Sequence, residues 1–154
     1  MSQVPGNTVL ETDLLDLHRR LRTGRVTLPL RSDEDVVGLR KQVRERAVAI
    51  ALSLVDQTKL VTAASELARN TIKYGGGGQV HLDALTDGMR QGVGLIFVDG
   101  GPGIADLDAA LRDGYTTGGG LGLGLGGSKR LVDEFEIDTK TGEGTAVCIV
   151  KWKR

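Results

Sequence analysis

Glycine is concentrated in one part of this 154-residue chain, and that concentration constrains the fold more than any other feature of the sequence. Eighteen of the 23 glycines lie between Gly75 and Gly127. Glycine allows positive φ and a close approach of backbone amides to a ligand, and it weakens regular structure. The segment is therefore expected to be mobile or to contact phosphate. The glycines are irregularly spaced, which excludes a collagen-like chain.

Length and charge narrow the class of protein. A chain of 154 residues is expected to form one compact domain. Its 20 basic residues balance 20 acidic ones, whereas a protein that binds nucleic acid usually carries a basic excess or stripe. No apolar run approaches the roughly 20 residues of a membrane-spanning helix, and the N-terminus does not resemble a signal peptide. Cys148 is a single cysteine in an apolar run, so we expect it to be a small buried hydrophobic residue in a reducing compartment. Together with the charge balance and the hydropathy, this predicts a cytoplasmic protein that binds neither nucleic acid nor membrane.

The hydrophobic pattern of the first half predicts mainly helices. Four leucines recur at helical spacing within residues 9–22, which predicts a short amphipathic helix. Residues 26–30 are predicted to form a strand at a sheet edge, because Pro29 has no N–H to donate. Two longer amphipathic helices are predicted next, the first from residue 33 to about 54 and the second from about 56 to 74, with its first residue as the N-cap.

The second half of the chain predicts mainly strands. One hairpin is expected at residues 79–85 and 93–98 and a final one at 134–140 and 145–152, with short helices at 105–112 and 121–133. Helices and antiparallel strands are segregated rather than strictly alternating. The sequence therefore predicts an α/β (α+β) two-layer sandwich, with helices packed on one face of a mixed, mostly antiparallel sheet.

The second long helix carries a polar strip beside its apolar stripe. Steps of four and three residues put Glu66, Asn70 and Lys73 on one face. Carboxylate and amide oxygens suit Mg²⁺, and a carboxylate can take a proton from an attacking hydroxyl, so the strip is equipped for phosphate chemistry. A solvated helix surface shows the same spacing, and from this segment alone that simpler interpretation is favoured.

A second polar cluster, Asp99-Gly-Gly-Pro-Gly103, directly follows an apolar strand. A carboxylate at a strand end can accept hydrogen bonds from a ligand amine, while the glycines keep the backbone close enough for a flat group to stack. Asp-Gly and Gly-Pro are also common in plain turns, so both interpretations stay open.

The third cluster covers residues 116–130 and opens a predicted helix. Repeated glycines there would present free N–H groups and the positive end of the helix dipole to a phosphate chain. Three of them match the spacing G-x-G-x-x-G, but no apolar strand precedes them, as a dinucleotide-binding loop requires. Ser128 separates the last glycine from Lys129, which excludes a P-loop, and the interleaved leucines argue against a flexible linker.

The fourth cluster, Thr141-Gly-Glu-Gly-Thr145, lies between the two last predicted strands. As a hairpin turn it needs no further function. If its strand borders the same pocket as the other clusters, the Thr145 hydroxyl could reach a nucleobase.

Taken in order, these clusters resemble the N, G1, G2 and final Gly-Thr boxes of the GHKL (Bergerat-fold) ATP-binding family. The four segments are Glu66-Leu-Ala-Arg-Asn70, Asp99-Gly-Gly-Pro-Gly103, Gly118–Gly127 and Gly142-Glu-Gly-Thr145. Within that family, Ser65–Asn70 and Asp113–Leu125 look like the signatures of the RsbT-type serine/threonine switch kinases of bacterial stressosomes. Thr116 replaces a serine of that pattern, and Gly126-Gly127-Ser128 takes the place of Pro-Gly-Val.

The resemblance covers about residues 25–153. It divides the chain into an N-terminal extension, residues 1–24, and a GHKL ATP-binding kinase domain, residues 25–154. The resemblance says nothing about the role of the extension.

The resemblance implies a role for each residue that matches a family box. Asn70 would hold Mg²⁺ through its amide oxygen and so connect the metal to the ATP phosphates. Glu66 would orient or deprotonate the acceptor hydroxyl. Lys73 and Lys129 could neutralise phosphate charge, although both can equally be surface lysines of a helix.

The remaining implied roles concern the base and the phosphates. Asp99 would accept the adenine amino group, Gly103 would line the base pocket, and Thr145 would contact adenine directly or through water. Gly101 would also belong to the nucleotide-binding residues. The lid over the phosphates would be formed by Gly118 to Gly127, and its nucleotide-binding residues would be Gly118, Gly119, Gly120, Leu121, Gly122, Leu123 and Gly124.

The function implied by the resemblance is a Mg-ATP-dependent serine/threonine protein kinase. Its substrate would be a STAS-domain antagonist or scaffold that also sequesters it, and after release it would activate a downstream PP2C-type phosphatase. The alternative is an anti-sigma factor of the same fold, which sequesters a sigma subunit and uses ATP mainly as a conformational ligand. A free ATPase is disfavoured, because nothing in the sequence couples hydrolysis to motion between domains.

Overall fold

The computed structural model describes residues 22–112 and 124–154, and these residues form an antiparallel sheet with helices on one face. The strands are β1 (Arg22–Leu30), β2 (Gly78–Thr86), β3 (Gln91–Asp99), β4 (Glu134–Lys140) and β5 (Gly144–Trp152). Their order across the sheet is β1-β2-β3-β5-β4, and every neighbouring pair is antiparallel. The predicted fold class and both predicted hairpins are confirmed.

The edge position predicted for the first strand is also confirmed. β1 lies at one edge of the sheet, where Pro29 stands opposite Gln79 of β2. An edge strand has a free side that needs no hydrogen-bond donor, so the missing N–H of proline is tolerated there.

Two long helices, α1 (Asp33–Ala49) and α2 (Leu54–Lys73), pack together on the sheet. Two short ones, α3 (Leu107–Ala110) and α4 (Leu125–Leu131), lie within the segments predicted to be helical. The helix predicted at residues 9–22 lies outside the described residues except for Arg22, which belongs to β1.

The predicted boundary between the two long helices was wrong. The first helix ends at Ala49 rather than near Leu54, because Ala51 adopts a left-handed φ of 59°, which ends a right-handed helix. Leu54 continues the apolar spacing, yet its side chain is 72% exposed and starts the next helix. The N-cap of α2 is Ser53, whose side chain accepts a hydrogen bond from the Asp56 N–H at 3.1 Å, so Asp56 is not the cap.

The main core lies between the helices and the inner face of the sheet. Its helical side includes Leu39, Leu60 and Leu67, and its sheet side includes Leu95 and Phe97, all buried. Each such side chain contributes about 2 kcal/mol by leaving water. This packing fixes α2 against the middle of the sheet, which brings its last turns to the end of β3.

The opposite face of the sheet carries a second buried apolar cluster, which includes Cys148. Burial raises the pKa of the Cys148 thiol, and the carboxylates of Glu136 and Glu134 raise it further. The prediction that this cysteine is a small buried hydrophobic residue is confirmed. Among residues 22–112 and 124–154, no helix is both long enough and apolar enough to cross a membrane.

Candidate functional site

A pocket lies where the C-terminal part of α2 meets the adjacent ends of β3 and β5. Its lining combines helix, strand and loop residues: Leu67, Asn70, Thr71, Tyr74, Gly75, Phe97, Asp99, Pro102, Gly103, Ile104, Leu125, Thr145 and Val147. Most of these side chains are apolar, and a few polar groups converge on them. A small-molecule site usually has this composition.

Helical spacing explains how α2 lines one wall of the pocket. Three residues of the pocket follow Leu67 by three, four and seven positions, which places all of them on one side of the helix: Asn70, Thr71 and Tyr74. The Thr71 hydroxyl donates to the Leu67 carbonyl at 3.0 Å, so this buried polar group is satisfied within the helix. Asn70 is half-buried at this wall.

Asp99 is the charged group of the pocket. It ends β3 opposite Thr145 of β5, and its Oδ1 accepts a hydrogen bond from the Gly101 N–H at 2.8 Å. Burial raises the pKa of Asp99 above its usual value of 3.8, although hydrogen bonds from the backbone N–H groups of Gly101 and Thr145 oppose this shift. Because Asp99 is partly buried, water hydrates its carboxylate only in part. The N–H of a ligand amine could donate a hydrogen bond to this carboxylate instead.

Close backbone contacts around Asp99 leave no space for side chains. A Cβ at Gly75 would overlap the Asp99 carboxylate carbon, and a Cβ at Gly101 would lie 2.7 Å from the Gly75 Cα. Gly103 has a φ of +77°, and a Cβ there would overlap the Lys140 carbonyl oxygen. The glycines therefore let the helix end, the loop after β3 and the final hairpin approach one another.

The hydroxyls of Thr139 and Thr145 form a hydrogen bond beside the pocket. The Thr139 hydroxyl of β4 accepts from the Ile104 N–H at 2.9 Å and lies 3.2 Å from the Gly144 carbonyl oxygen, to which it can donate. It also lies 2.9 Å from the Thr145 hydroxyl, with which it shares a hydrogen bond. Thr139 therefore links the loop after β3 to the strand that carries Thr145.

Glu66 lies in a second pocket, one helical turn along α2 from Asn70. The residues that line this pocket are Thr62, Glu66, Gly124, Gly127, Ser128, Arg130 and Leu131. Gly124 adopts a φ of +65°, and a Cβ on it would lie 2.6 Å from the Glu66 Cγ. The start of α4 therefore packs directly against the Glu66 side chain.

The structure brings only some of the predicted residues together. Asn70, Asp99, Gly103 and Thr145 line one pocket, and Gly101 supports it through Asp99. Glu66 and Gly124 meet in the other. Gly118, Gly119, Gly120, Leu121, Gly122 and Leu123 lie outside the described residues.

The two predicted lysines lie apart from both pockets. Lys73 and Lys129 are exposed, and neither lines the pocket of Asp99 or that of Glu66. The Lys73 ammonium lies 5.4 Å from the centre of the Tyr74 ring. Their contact with phosphate stays a prediction.

Several residues of the pocket were missed by the sequence prediction. Thr71 and Tyr74 follow Asn70 by one and four residues, so helical spacing alone could have found them. From the sequence, Gly75 is only the first residue of the glycine-rich segment, and Thr139, which lies beside the pocket, is only part of a predicted strand. Their contacts join segments that are distant in sequence, and no local signal indicates such contacts.

Known proteins with similar sequences identify the family of this chain. The family described as histidine kinase-, DNA gyrase B-, and HSP90-like ATPase matches residues 55–154. The Bacillus subtilis (strain 168) protein named serine/threonine-protein kinase RsbT is 43% identical to this chain over 120 residues, which cover 78% of this chain and 90% of that protein.

A solved structure shows the same fold. The RsbU and RsbW domains of a Mycobacterium tuberculosis protein match this chain with a TM-score of 0.57 at 21% identity. The match covers 86% of this chain and 33% of the solved one, so this chain spans about a third of that protein. From the family match and the RsbT identity together, the chain belongs to the histidine kinase-, DNA gyrase B- and HSP90-like (GHKL) ATPase family and, within it, to the serine/threonine-protein kinases related to RsbT.

Proposed function

We propose that this kinase binds Mg-ATP with its adenine in the Asp99 pocket and transfers the γ-phosphate to a Ser or Thr of a STAS-domain partner. The observation that carries the proposal is Asp99 itself, a carboxylate with a raised pKa in an apolar pocket. The similarity to RsbT supports the class of reaction.

The pocket fits a flat base that carries an amine. Phe97, Leu67 and Val147 offer apolar contacts to the ring faces, and the Asp99 carboxylate can accept from an exocyclic N–H. The Thr145 hydroxyl lines the pocket and is hydrogen-bonded to the Thr139 hydroxyl at 2.9 Å, and it would contact the base. Guanine presents a carbonyl where adenine presents an amine, so Asp99 would favour adenine.

The available protein oxygens fit a magnesium ion that is held mainly by the ATP phosphates and water. Within the described residues, no group of three or more His, Cys, Asp or Glu side chains could hold a metal. Mg²⁺ commonly takes one or two protein oxygens and completes its shell with phosphates and water, and it neutralises charge on the transferred phosphate. The Asn70 amide oxygen, at the pocket wall, would be the protein ligand.

Glu66 would position the acceptor hydroxyl. In the transfer, the hydroxyl oxygen of the partner bonds to the γ-phosphorus, the bond from that phosphorus to the bridging oxygen breaks, and ADP leaves with that oxygen. Glu66 would accept the hydroxyl proton. Its pocket adjoins the start of α4, and residues 118–124, Lys73 and Lys129 would cover or neutralise the phosphates.

The proposed partners follow from the relationship to RsbT. A STAS-domain protein would be both the substrate and the sequestering partner in the cytoplasm, and its phosphorylation would release this kinase. The released kinase would then activate a PP2C-type phosphatase by binding it. The partner supplies the nucleophile, so a small domain with one acid and one metal ligand is sufficient.

The experiment that tests this proposal is transfer of label from γ-labelled Mg-ATP to a STAS-domain protein from the same source. We expect label on a Ser or Thr, and loss of at least 100-fold in rate, roughly the contribution of a catalytic base, in Glu66→Gln. ATP affinity should be unchanged in that variant, because Glu66 lies outside the base pocket. ATP binding without transfer, together with capture of a sigma factor, would favour the anti-sigma alternative.

A further inference from the structure

The face of the sheet opposite α1 and α2 is buried at its centre. We define the outer cluster as the apolar residues Leu85, Ile96, Val98, Ala146, Cys148, Val150 and Trp152. Ile96 and Ala146 have no exposed surface, and Cys148 is 1% exposed. Side chains on an uncovered sheet face keep part of their surface in water, so something covers this face.

The described helices do not provide this cover. The outer cluster consists of strand residues only, and the buried apolar side chains of α1 and α2 all belong to the core on the other face. In an antiparallel sheet with one solvated face, polar and apolar residues alternate along each strand. β5 is instead buried at all nine positions and β3 at seven of nine, which is the pattern of strands covered on both faces.

Buried polar groups beside the outer cluster point to the same cover. Asp83 lies on the same face and is completely buried, and Arg25 contacts its two carboxylate oxygens at 2.7 and 2.6 Å. Next to it, His81 is buried and its Nδ1 lies 2.8 Å from the Thr27 hydroxyl. On an open sheet face, water would hydrate such groups.

The first described residue lies at one end of this face. β1 begins at Arg22, which stands opposite Leu85 of the outer cluster. Residues 1–21 therefore join the sheet at the end of the face where Leu85 and Trp152 lie. In their sequence, Leu10, Leu14, Leu17 and Leu21 recur at helical spacing.

The predicted N-terminal helix and the outer cluster have about the same length. A helix over residues 9–21 would be about 20 Å long at 1.5 Å per residue. The outer cluster extends from Ala146 to Trp152 along β5, which is also about 20 Å at 3.4 Å per residue. Four leucines on one side of such a helix would contact the whole cluster.

We propose that the leucine face of residues 10–21 docks on the outer cluster, so that the N-terminal extension forms a third layer of this kinase. The occupant of the face is thus a segment of the same chain rather than a second copy.

Cysteine cross-linking tests the proposal directly, because Cys148 is the single cysteine of the chain and lies within the cluster. Leu10→Cys, Leu14→Cys and Leu17→Cys are each oxidised with copper phenanthroline in the full-length protein. We expect an intrachain disulfide to Cys148 in at least one of them. Leu15→Cys is the matched control, because Leu15 lies on the other side of the predicted helix, and it should form none. Absence of an intrachain disulfide in all three variants, or disulfides between chains only, would overturn the proposal.

A second measurement uses the single tryptophan. Leu14→Asp combined with Leu17→Asp should release the segment, shift the Trp152 emission to longer wavelength and raise the rate of Cys148 labelling at least tenfold, with the circular dichroism spectrum of the sheet retained. Leu15→Asp should behave as the unsubstituted protein. Equal labelling rates in all three proteins would contradict docking, as would protection that increases with protein concentration and so indicates a second copy.

Discussion

Asp99 shows how a single residue depends on the backbone around it. Its carboxylate accepts from the Gly101 N–H, and Gly75 and Gly101 pass so close that a Cβ on either would collide with neighbouring atoms. Within the described residues, backbone N–H groups of Gly101 and Thr145 donate to this carboxylate. Under the proposed function, it would also accept from an N–H of the base.

Substitution of Asp99 separates recognition of the base from that of the phosphates. Asp99→Asn should weaken ATP at least tenfold, about 1.4 kcal/mol, because an amide at this position replaces an acceptor by a possible donor. Inorganic triphosphate lacks adenine and should bind almost as before. Calorimetric titration with both ligands checks this, and equal losses for both would assign Asp99 a structural role.

Neighbouring glycines offer a matched pair of variants. In Gly101→Ala, the new Cβ would lie 2.7 Å from the Gly75 Cα and displace the loop that holds Asp99, whereas in Gly100→Ala it would have no atom within 4 Å. We expect Gly101→Ala to lower the free energy of unfolding by about 1–3 kcal/mol and to weaken ATP. Gly100→Ala should change both by little. Urea denaturation and ATP titration test the pair, and similar behaviour of the two variants would contradict the close approach.

The effect of magnesium on ATP affinity should decide whether Asn70 is a metal ligand. Asn70→Ala should remove the increase in ATP affinity that magnesium produces, and its melting temperature should stay close to that of the unsubstituted protein. Asn70→Asp keeps an oxygen ligand and should retain that increase. Titrations with magnesium and with EDTA measure the difference, and a full magnesium effect in Asn70→Ala would remove the metal assignment.

At the scale of elements, an ion cluster ties α2 to the end of β5. Lys151 is buried, and its ammonium lies 3.5 Å from both Asp56 of α2 and Asp133, which precedes β4. Asp133 also accepts from the Trp152 N–H at 2.7 Å and from Arg154 at 2.5 Å. Helix and sheet are thereby joined by charge as well as by the apolar core.

The free energy of unfolding should depend on pH through Asp133 of this cluster. Burial by itself would raise the pKa of Asp133, but the Trp152 N–H, the Arg154 guanidinium and the Lys151 ammonium outweigh it, so the pKa lies below its usual 3.8. A lowered folded-state pKa adds stability above the unfolded-state pKa, and that stability is lost as the pH falls through the folded-state value.

Asp133→Asn should therefore lower the free energy of unfolding by about 1–2 kcal/mol at pH 7. The difference from the unsubstituted protein should shrink once the pH falls below about 4. Urea denaturation curves over this range provide the measurement. A difference that stays constant with pH would show that Asp133 acts through packing rather than through its charge.

At the scale of the whole molecule, the pocket of Asp99 joins the helical layer to the sheet. It is built from α2, the loop after β3 and the final hairpin, so a ligand there holds the helical layer to the sheet. A ligand that binds only the folded state raises its stability in proportion to the logarithm of ligand concentration.

Thermal denaturation should report this coupling and its base specificity. Mg-ATP at 100 times its dissociation constant should add about 2.7 kcal/mol and raise the melting temperature by roughly 5–10 °C. Mg-GTP at the same concentration should raise it much less, because Asp99 would face a carbonyl instead of an amine. Equal shifts with both nucleotides would show that the pocket does not distinguish the bases.

The sequence by itself determined the elements and the chemistry they carry. Helical and strand periodicity placed both hairpins and the two long helices, and the spacing of Glu66 and Asn70 put them on one helix face. The order of the four glycine and polar clusters identified the family. These signals are local, because side-chain direction repeats every 3.6 residues in a helix and every two in a strand. The division at residue 24 and the lid of residues 118–127 stay predictions.

Only the tertiary structure decided which distant segments meet. Strand register set Asp99 beside Thr145, and helix packing brought Gly75 against Asp99 and Gly124 against Glu66. Ala51 ended a helix that the apolar spacing would have continued, and β5 is buried at all nine positions. Such contacts depend on the packing of whole elements, and that packing depends on side-chain shapes along the entire chain rather than on any local pattern.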